Sequence, residues 1–184
     1  MRYPAAETAE KHTRILEQAS SLFRRRGFSG VSVGEIMRAT GLTHGPFYNH
    51  FASKEALLAE TIEHASAQSL ADMDAACAGP DGAHAYVRGY LSARHRDAPE
   101  QGCLMAALGP EISREPAVRA AFTRHLNAAL ARWERYIPWR MKKTARQESI
   151  RLVAAIVGAI VLARAVDDEA LSDEILREVR ASLD

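Results

Sequence analysis

Residues 31–58 read VSVGEIMRATGLTHGPFYNHFASKEALL, and this stretch decides the fold. Ser32 and Glu35 have the S-x-x-E spacing of a capping box, in which the serine oxygen accepts a backbone N–H and the glutamate reaches back. The spacing predicts a short helix with Ile36 and Met37 on its apolar face, ended at Gly41, where a positive φ is needed. A second short helix follows. Thr43 can cap it, and Pro46 falls in its first turn, where a missing N–H costs little. Phe47 and Phe51 are four apart, share a face and require a core. Gly45, Tyr48 and Asn49 lie away from that face. Two short helices around a glycine turn, the second seated by phenylalanines and displaying polar groups, form a helix-turn-helix. That geometry delivers the second helix to the major groove of double-stranded DNA.

The sequence on either side extends the pattern. RILEQASSLFRRRGF at 14–28 precedes the capped helix, and FYNHFASKEALL at 47–58 closes the unit. In order and spacing, residues 11–58 closely resemble the DNA-binding domain of the TetR family of bacterial transcriptional regulators. Three positions depart from the family's pattern: His44 where lysine is frequent, Asn49 where an aromatic residue or histidine is frequent, and Pro46 where a small hydroxyl residue is usual. These departures bear on which DNA sequence is read and leave the fold expectation unchanged.

The resemblance implies an all-α fold in two parts. Residues 1–53 would form a three-helix helix-turn-helix domain, and residues 54–184 a helical effector-binding and dimerisation domain. It also implies a transcriptional regulator, a repressor released from a palindromic operator by a small-molecule effector. On the DNA side it implicates Ser32, Thr43, His44, Gly45, Tyr48, Asn49, His50 and Lys54. Their chemistry suits the role. Asn49 carries a donor and an acceptor that match adenine N6 and N7, and Gly45 lets the backbone approach closely. His44 can reach a base edge or a phosphate. Thr43, Tyr48 and His50 can hydrogen-bond phosphates, and Lys54 sits at a helix N-terminus, which itself attracts phosphate. Arg24, Arg25 and Arg26 end the first helix, where positive charge suits the helix dipole.

The remaining candidates are in the body. Met73, Tyr86, Tyr90, Phe122, Leu126 and Trp133 have helical spacing and read as core. The family keeps its effector pocket among such helices, and aromatic residues with methionines suit an apolar ligand. Cys103 and Met105 follow His95-Arg96-Asp97. A thiol beside histidine and arginine could sense electrophiles or oxidants, and a small buried hydrophobe is the other reading. A redox- or electrophile-sensing regulator using Cys103 is therefore the alternative function. Ala155 and Gly158 are small residues that permit close helix approach beside Val157 and Ile160. The family resemblance places a homodimer seam there, on the last two helices.

Composition bounds the rest. The chain has 184 residues, 47% of them hydrophobic, enough to bury a core without disulfides or metals. The net charge of +1 hides an asymmetry: residues 1–54 hold 8 Lys/Arg against 4 Asp/Glu, and residues 55–184 hold 16 against 19. A basic head on a mildly acidic body suits one end meeting phosphate. Cys77 and Cys103 have no metal-ligand spacing, and the first residues lack an apolar signal core, so a cytoplasmic protein is expected. The apolar run LVAAIVGAIVLA at 152–163 is shorter than the roughly 20 residues a bilayer requires, so no membrane partner is expected. No acid/base pair, nucleophile constellation, metal site or cofactor motif is legible, which argues against an enzyme.

Helical patterns are expected at 53–78, 83–95, 103–108 (ended by Gly109-Pro110), 116–136, 144–166 and 169–183. Gly79-Pro80-Asp81-Gly82 is a strong breaker. The basic residues Arg140, Lys142, Lys143 and Arg146 read as a solvated loop.

Overall fold

The computed structural model describes residues 5–42, 47–138 and 141–183. Among these it is all helical, with α1 Ala5–Arg26, α2 Val33–Ala39, α3 Phe47–His50, α4 Lys54–Ala76, α5 Gly82–Tyr90, α6 Ala93–Asp97, α7 Leu104–Ile112, α8 Pro116–Tyr136, α9 Ala145–Ala165 and α10 Glu169–Ala181.

The capping box forms as its spacing requires. Ser32 accepts the Glu35 N–H, and the Glu35 carboxylate accepts the Ser32 N–H at 2.8 Å. The Ser32 N–H and hydroxyl, with Arg26, hold the Glu35 carboxyl down to about 2. Gly41 takes φ +72° and ends α2. Ser53 caps α4, Asp168 caps α10, and Pro116 opens α8. The caps expected at Thr43 and Pro46 lie outside the described residues.

Two elements differ from the sequence expectation. The helix expected over 83–95 breaks at Leu91, because the Ser92 hydroxyl caps a new turn. It accepts the His95 N–H at 3.3 Å and donates to the Gly89 carbonyl at 2.7 Å. The helix expected to end at Gly109-Pro110 continues to Ile112. Pro110 removes one backbone donor in the last turn. Leu104, Leu108 and Ile112, each four apart and each at most 2% exposed, bury a continuous stripe that offsets the loss.

Two cores divide the molecule. The first joins α1 (Ile15, Phe23), α2 (Ile36, Met37), α3 with its following residue (Phe47, Phe51) and α4 (Leu57, Ile62) to Leu104, Leu108 and Val118 of α7 and α8. The second gathers Met73, Tyr90, Leu130 and Trp133 with the inner faces of α9 and α10. The covalent boundary expected at residue 53 is therefore not a packing boundary, because the head shares its core with α7 and α8.

Polar ties reinforce the same contacts. Gly27 takes φ +74°, and the next N–H, of Phe28, donates to the Glu111 carboxylate at 2.7 Å. On the other side Asp74 near the end of α4 accepts from Arg132, Arg135 and Tyr136 of α8. Arg96 of α6 reaches Ser172 and Asp173 of α10.

Gly27 and Gly41 separate two costs. A Cβ at Gly41 meets nothing within 4 Å, whereas one at Gly27 would lie 2.2 Å from Glu111 Oε1. Gly41→Ala should cost only the left-handed backbone penalty, about 1–2 kcal/mol. Gly27→Ala should cost more, because it also displaces Glu111 from the Phe28 N–H. Urea unfolding of the two variants checks this, and equal losses would mean that Glu111 is not held against Gly27.

Candidate nucleic-acid interface and effector cavity

The recognition face follows from how α3 is anchored. Phe47 is 0% and Phe51 2% exposed, and their rings lie 5.7 Å apart. His12 of α1 stacks on Phe51 at 4.6 Å and pairs with Glu60 of α4 at 3.0 Å. With the apolar side fixed, Tyr48 stands 67% exposed and Asn49 is exposed beside it. His50 is half-buried, and burial with the neighbouring His12 and Lys11 lowers its pKa. Thr43, His44 and Gly45 lie outside the described residues.

Two of the residues expected on the DNA side are already engaged. The Lys54 ammonium donates to the Phe28 carbonyl, fastening the start of α4 to the end of α1. Ser32 is exposed, but its hydroxyl donates to Glu35 within the capping box. Of the arginine triplet, Arg26 binds Glu35 and the Gly30 carbonyl, and Arg25 lies 4.0 Å from Glu100. These residues brace the head, which agrees with a structural reading of the triplet. At the far basic cluster, Arg146 holds Glu134 and Asn127, and Lys143 is exposed.

A cavity of about 750 Å³ lies between α1, α4, α5, α8 and the 92–103 segment. Six of the eight expected ligand residues line it: Met73, Tyr86, Tyr90, Cys103, Met105 and Trp133. Phe122 and Leu126 do not; they pack against the first and second cores respectively. Tyr86 meets Trp133 edge-on at 5.6 Å, which makes one wall aromatic. Burial pushes the Tyr86 and Tyr90 phenols up, keeping both as neutral donors.

Sequence reasoning missed the polar half of this cavity. Arg24, His64 and His125 line it; the two histidines belong to no local motif, and Arg24 is one of a triplet read only as a helix end. His125 is 3% exposed, with Nδ1 2.8 Å from the Ser66 hydroxyl. The one available signal was His125 falling in register with the buried positions Val118, Ala121 and Ala129 of α8.

His95 sets the cavity's edge. Its Nε2 accepts the Cys103 N–H at 3.0 Å, so Nδ1 carries the proton donated to the Tyr90 carbonyl at 2.7 Å. Burial keeps this histidine neutral by lowering its pKa. Cys103 is half-buried, at the residue before α7.

The expected seam residues fall differently. Ile160 is 0% exposed inside the single chain's own core. Ala155, Val157 and Gly158 are half-buried, and a Cβ at Gly158 would meet open space. The outward apolar residues of α9 and α10 include Ile150, Leu162 and Leu171, at 49%, 57% and 42% exposed. Among the described residues no cluster of His, Cys, Asp or Glu could hold a metal, and no helix is long and apolar enough to cross a membrane.

His125 gives a pH prediction. Burial, then the charges of Arg132 and Arg24, depress its pKa to about 4. Below 6.5 the unfolded chain binds a proton there that the folded chain refuses. Stability should be complete above pH 6.5 and fall by roughly 1.4 kcal/mol per unit toward pH 4. His125→Gln should flatten that part of a pH-dependent urea-unfolding profile. An unchanged slope would place the titration elsewhere.

The profile described as "Bacterial regulatory proteins, tetR family" matches residues 15–61. The HTH-type transcriptional regulator UidR of Escherichia coli is 31% identical over 114 residues, covering 62% of this chain and 58% of that protein. The matches to UidR and to an uncharacterised regulator of Bacillus subtilis span 58% and 22% of those proteins' lengths. Escherichia coli NemR, solved in a reduced form, superposes with TM-score 0.80 at 21% identity over 95% of both chains. A TetR-family regulator from Agrobacterium tumefaciens superposes at 0.69 with 27% identity, over 95% of this chain and 98% of that one.

Proposed function

Because the chain belongs to the TetR family of bacterial regulatory proteins, we propose that it is a DNA-binding transcriptional regulator, a repressor released from a palindromic operator by a small molecule. The observation that carries the DNA reading is the polar face of α3. Tyr48 and Asn49 are exposed on a helix whose phenylalanines are seated in the core of the head. Fixing the helix from behind lets its outer side chains meet base edges at defined positions. The cavity supports the effector half of the reading, since it sets an aromatic and methionine wall opposite a polar half in a concave site of about 750 Å³.

Two copies are needed to read two half-sites, and we place the seam on the outer faces of α9 and α10. Leu162 and Leu171 would be covered there, and Gly158 would admit a close helix approach. Ile160, expected from the sequence, serves the core of one subunit. Selection from a random duplex library should return a palindrome.

Asn49→Ala should then lose about 1–3 kcal/mol of discrimination at one base position per half-site, with little change in nonspecific affinity. The selected sequence profile measures this; an unaltered profile would remove Asn49 from the reading face. Leu162→Glu should leave a folded chain, because its side chain is exposed, and should break the dimer by setting a carboxylate in the seam. Sedimentation should give a monomer, and operator binding should be lost although α3 is untouched. A dimeric Leu162→Glu variant would put the seam elsewhere.

A second reading has one observation in its favour. Cys103 is half-buried in the cavity wall, its backbone fixed by His95, so an electrophile entering the cavity would meet a thiol. If the regulator senses thiol-reactive compounds, Cys103→Ser abolishes their effect on operator binding. If it senses a noncovalent effector, the variant responds as the parent does.

A further inference from the structure

Arg24 carries a charge that the fold does not use. Its neighbours Arg25 and Arg26 both face carboxylates, Glu100 and Glu35. Arg24 forms no ion pair among the described residues. Its Nη1 donates to the Glu100 carbonyl at 3.3 Å, and its Nε is buried without a partner. Keeping a guanidinium out of water without a carboxylate is costly. Burial pushes the Arg24 pKa down, and its charge helps keep His125 neutral.

The same cavity holds two more unused polar atoms. His64 Nε2 is buried without a hydrogen-bond partner. So is the hydroxyl of Tyr90, a residue 8% exposed, which lies near the Cys103 thiol, a weak acceptor, with no well-formed bond to it. The carboxylates on the wall do not answer this need. Glu17 and Asp72 are exposed, and Glu100 lies beside Arg25. Unsatisfied donors in a cavity with an aromatic wall describe the complement of a ligand: an acceptor-rich anionic group on a flat apolar body.

We propose that the cavity binds an aromatic carboxylate, its ring against Tyr86, Met73 and Met105 and its carboxylate on Arg24, with Tyr90 and His64 as further hydrogen-bond donors. This deepens the regulator reading and rests on it only for the consequence at DNA. Arg24 belongs to α1, so the ligand is held by the DNA-binding head itself. A carboxylate on Arg24 replaces the Glu100 carbonyl and loosens α1 from the turn at 99–101. The effector thus acts on the first helix of the head without a relay through the length of α4.

The test uses the purified full chain without DNA. Calorimetric titration compares 2-naphthoate with 2-naphthalenemethanol, a neutral molecule of similar shape. Naphthoate should bind about tenfold or more tightly than the alcohol. Arg24→Gln should bring the two affinities together while retaining the alcohol. Equal affinities on the parent protein would overturn the proposal. So would no naphthoate binding up to about 1 mM, or a preference that survives Arg24→Gln. If Arg24→Gln fails to fold, the acid-against-alcohol comparison on the parent protein still decides. The DNA experiment is separate. If no duplex is retained by the ligand-free protein, the regulator reading fails while the naphthoate result stands.

Discussion

Helix α1 is buried from two sides, and the rest of the structure depends on that constraint. Ile15, Leu16, Ala19 and Phe23 form its apolar face. That face packs with Ile36, Met37, Phe47 and Phe51 of the helix-turn-helix and with Leu104, Leu108, Ile112 and Val118 of the body in one continuous core. Close-packed interiors transmit displacement because they have no slack to absorb it. The recognition helix is therefore positioned by residues far along the chain. The Glu111–Phe28 and Lys54–Phe28 hydrogen bonds fasten the end of α1 to α7 and α4 at the same point.

The cavity lies where this shared core gives way to the second one. Beyond it, the Asp74 cluster with Arg132, Arg135 and Tyr136 pins the far end of α4 to α8. The near end of α4 is part of the head. A ligand between these points meets a wall that is braced on one side and attached to α1 on the other. The electrostatics are uneven in the same sense. Arg164 spends its guanidinium on the His95 and Arg96 carbonyls, the nearby histidines are held neutral, and Arg24 keeps an unmatched charge.

What the sequence made legible was local. The capping box, the positive φ at Gly41, Ser53 at the start of α4 and Pro116 at the start of α8 are each decided within four residues, and each stands as read. The aromatic half of the cavity was legible because Met73, Tyr86, Tyr90 and Trp133 are large apolar residues at helical spacing. Its polar half was not. Arg24 sits in an arginine triplet whose other members brace the head, and nothing in the string separates one from the next. Ile160 was placed at a surface because its run is apolar on all sides, and periodicity cannot assign faces within such a run. The break at Ser92 was hidden by an unbroken helical pattern, and one hydroxyl decides it.

Through α1, head and body form one cooperative unit. Native-state hydrogen exchange tests it most directly, by comparing the opening free energies of amides in residues 15–28 with those in residues 104–112 under the same conditions. Both segments should open together, with opening free energies equal to each other and responding alike to denaturant. Exchange of 15–28 through a separate opening of much lower free energy, with 104–112 still protected, would contradict it.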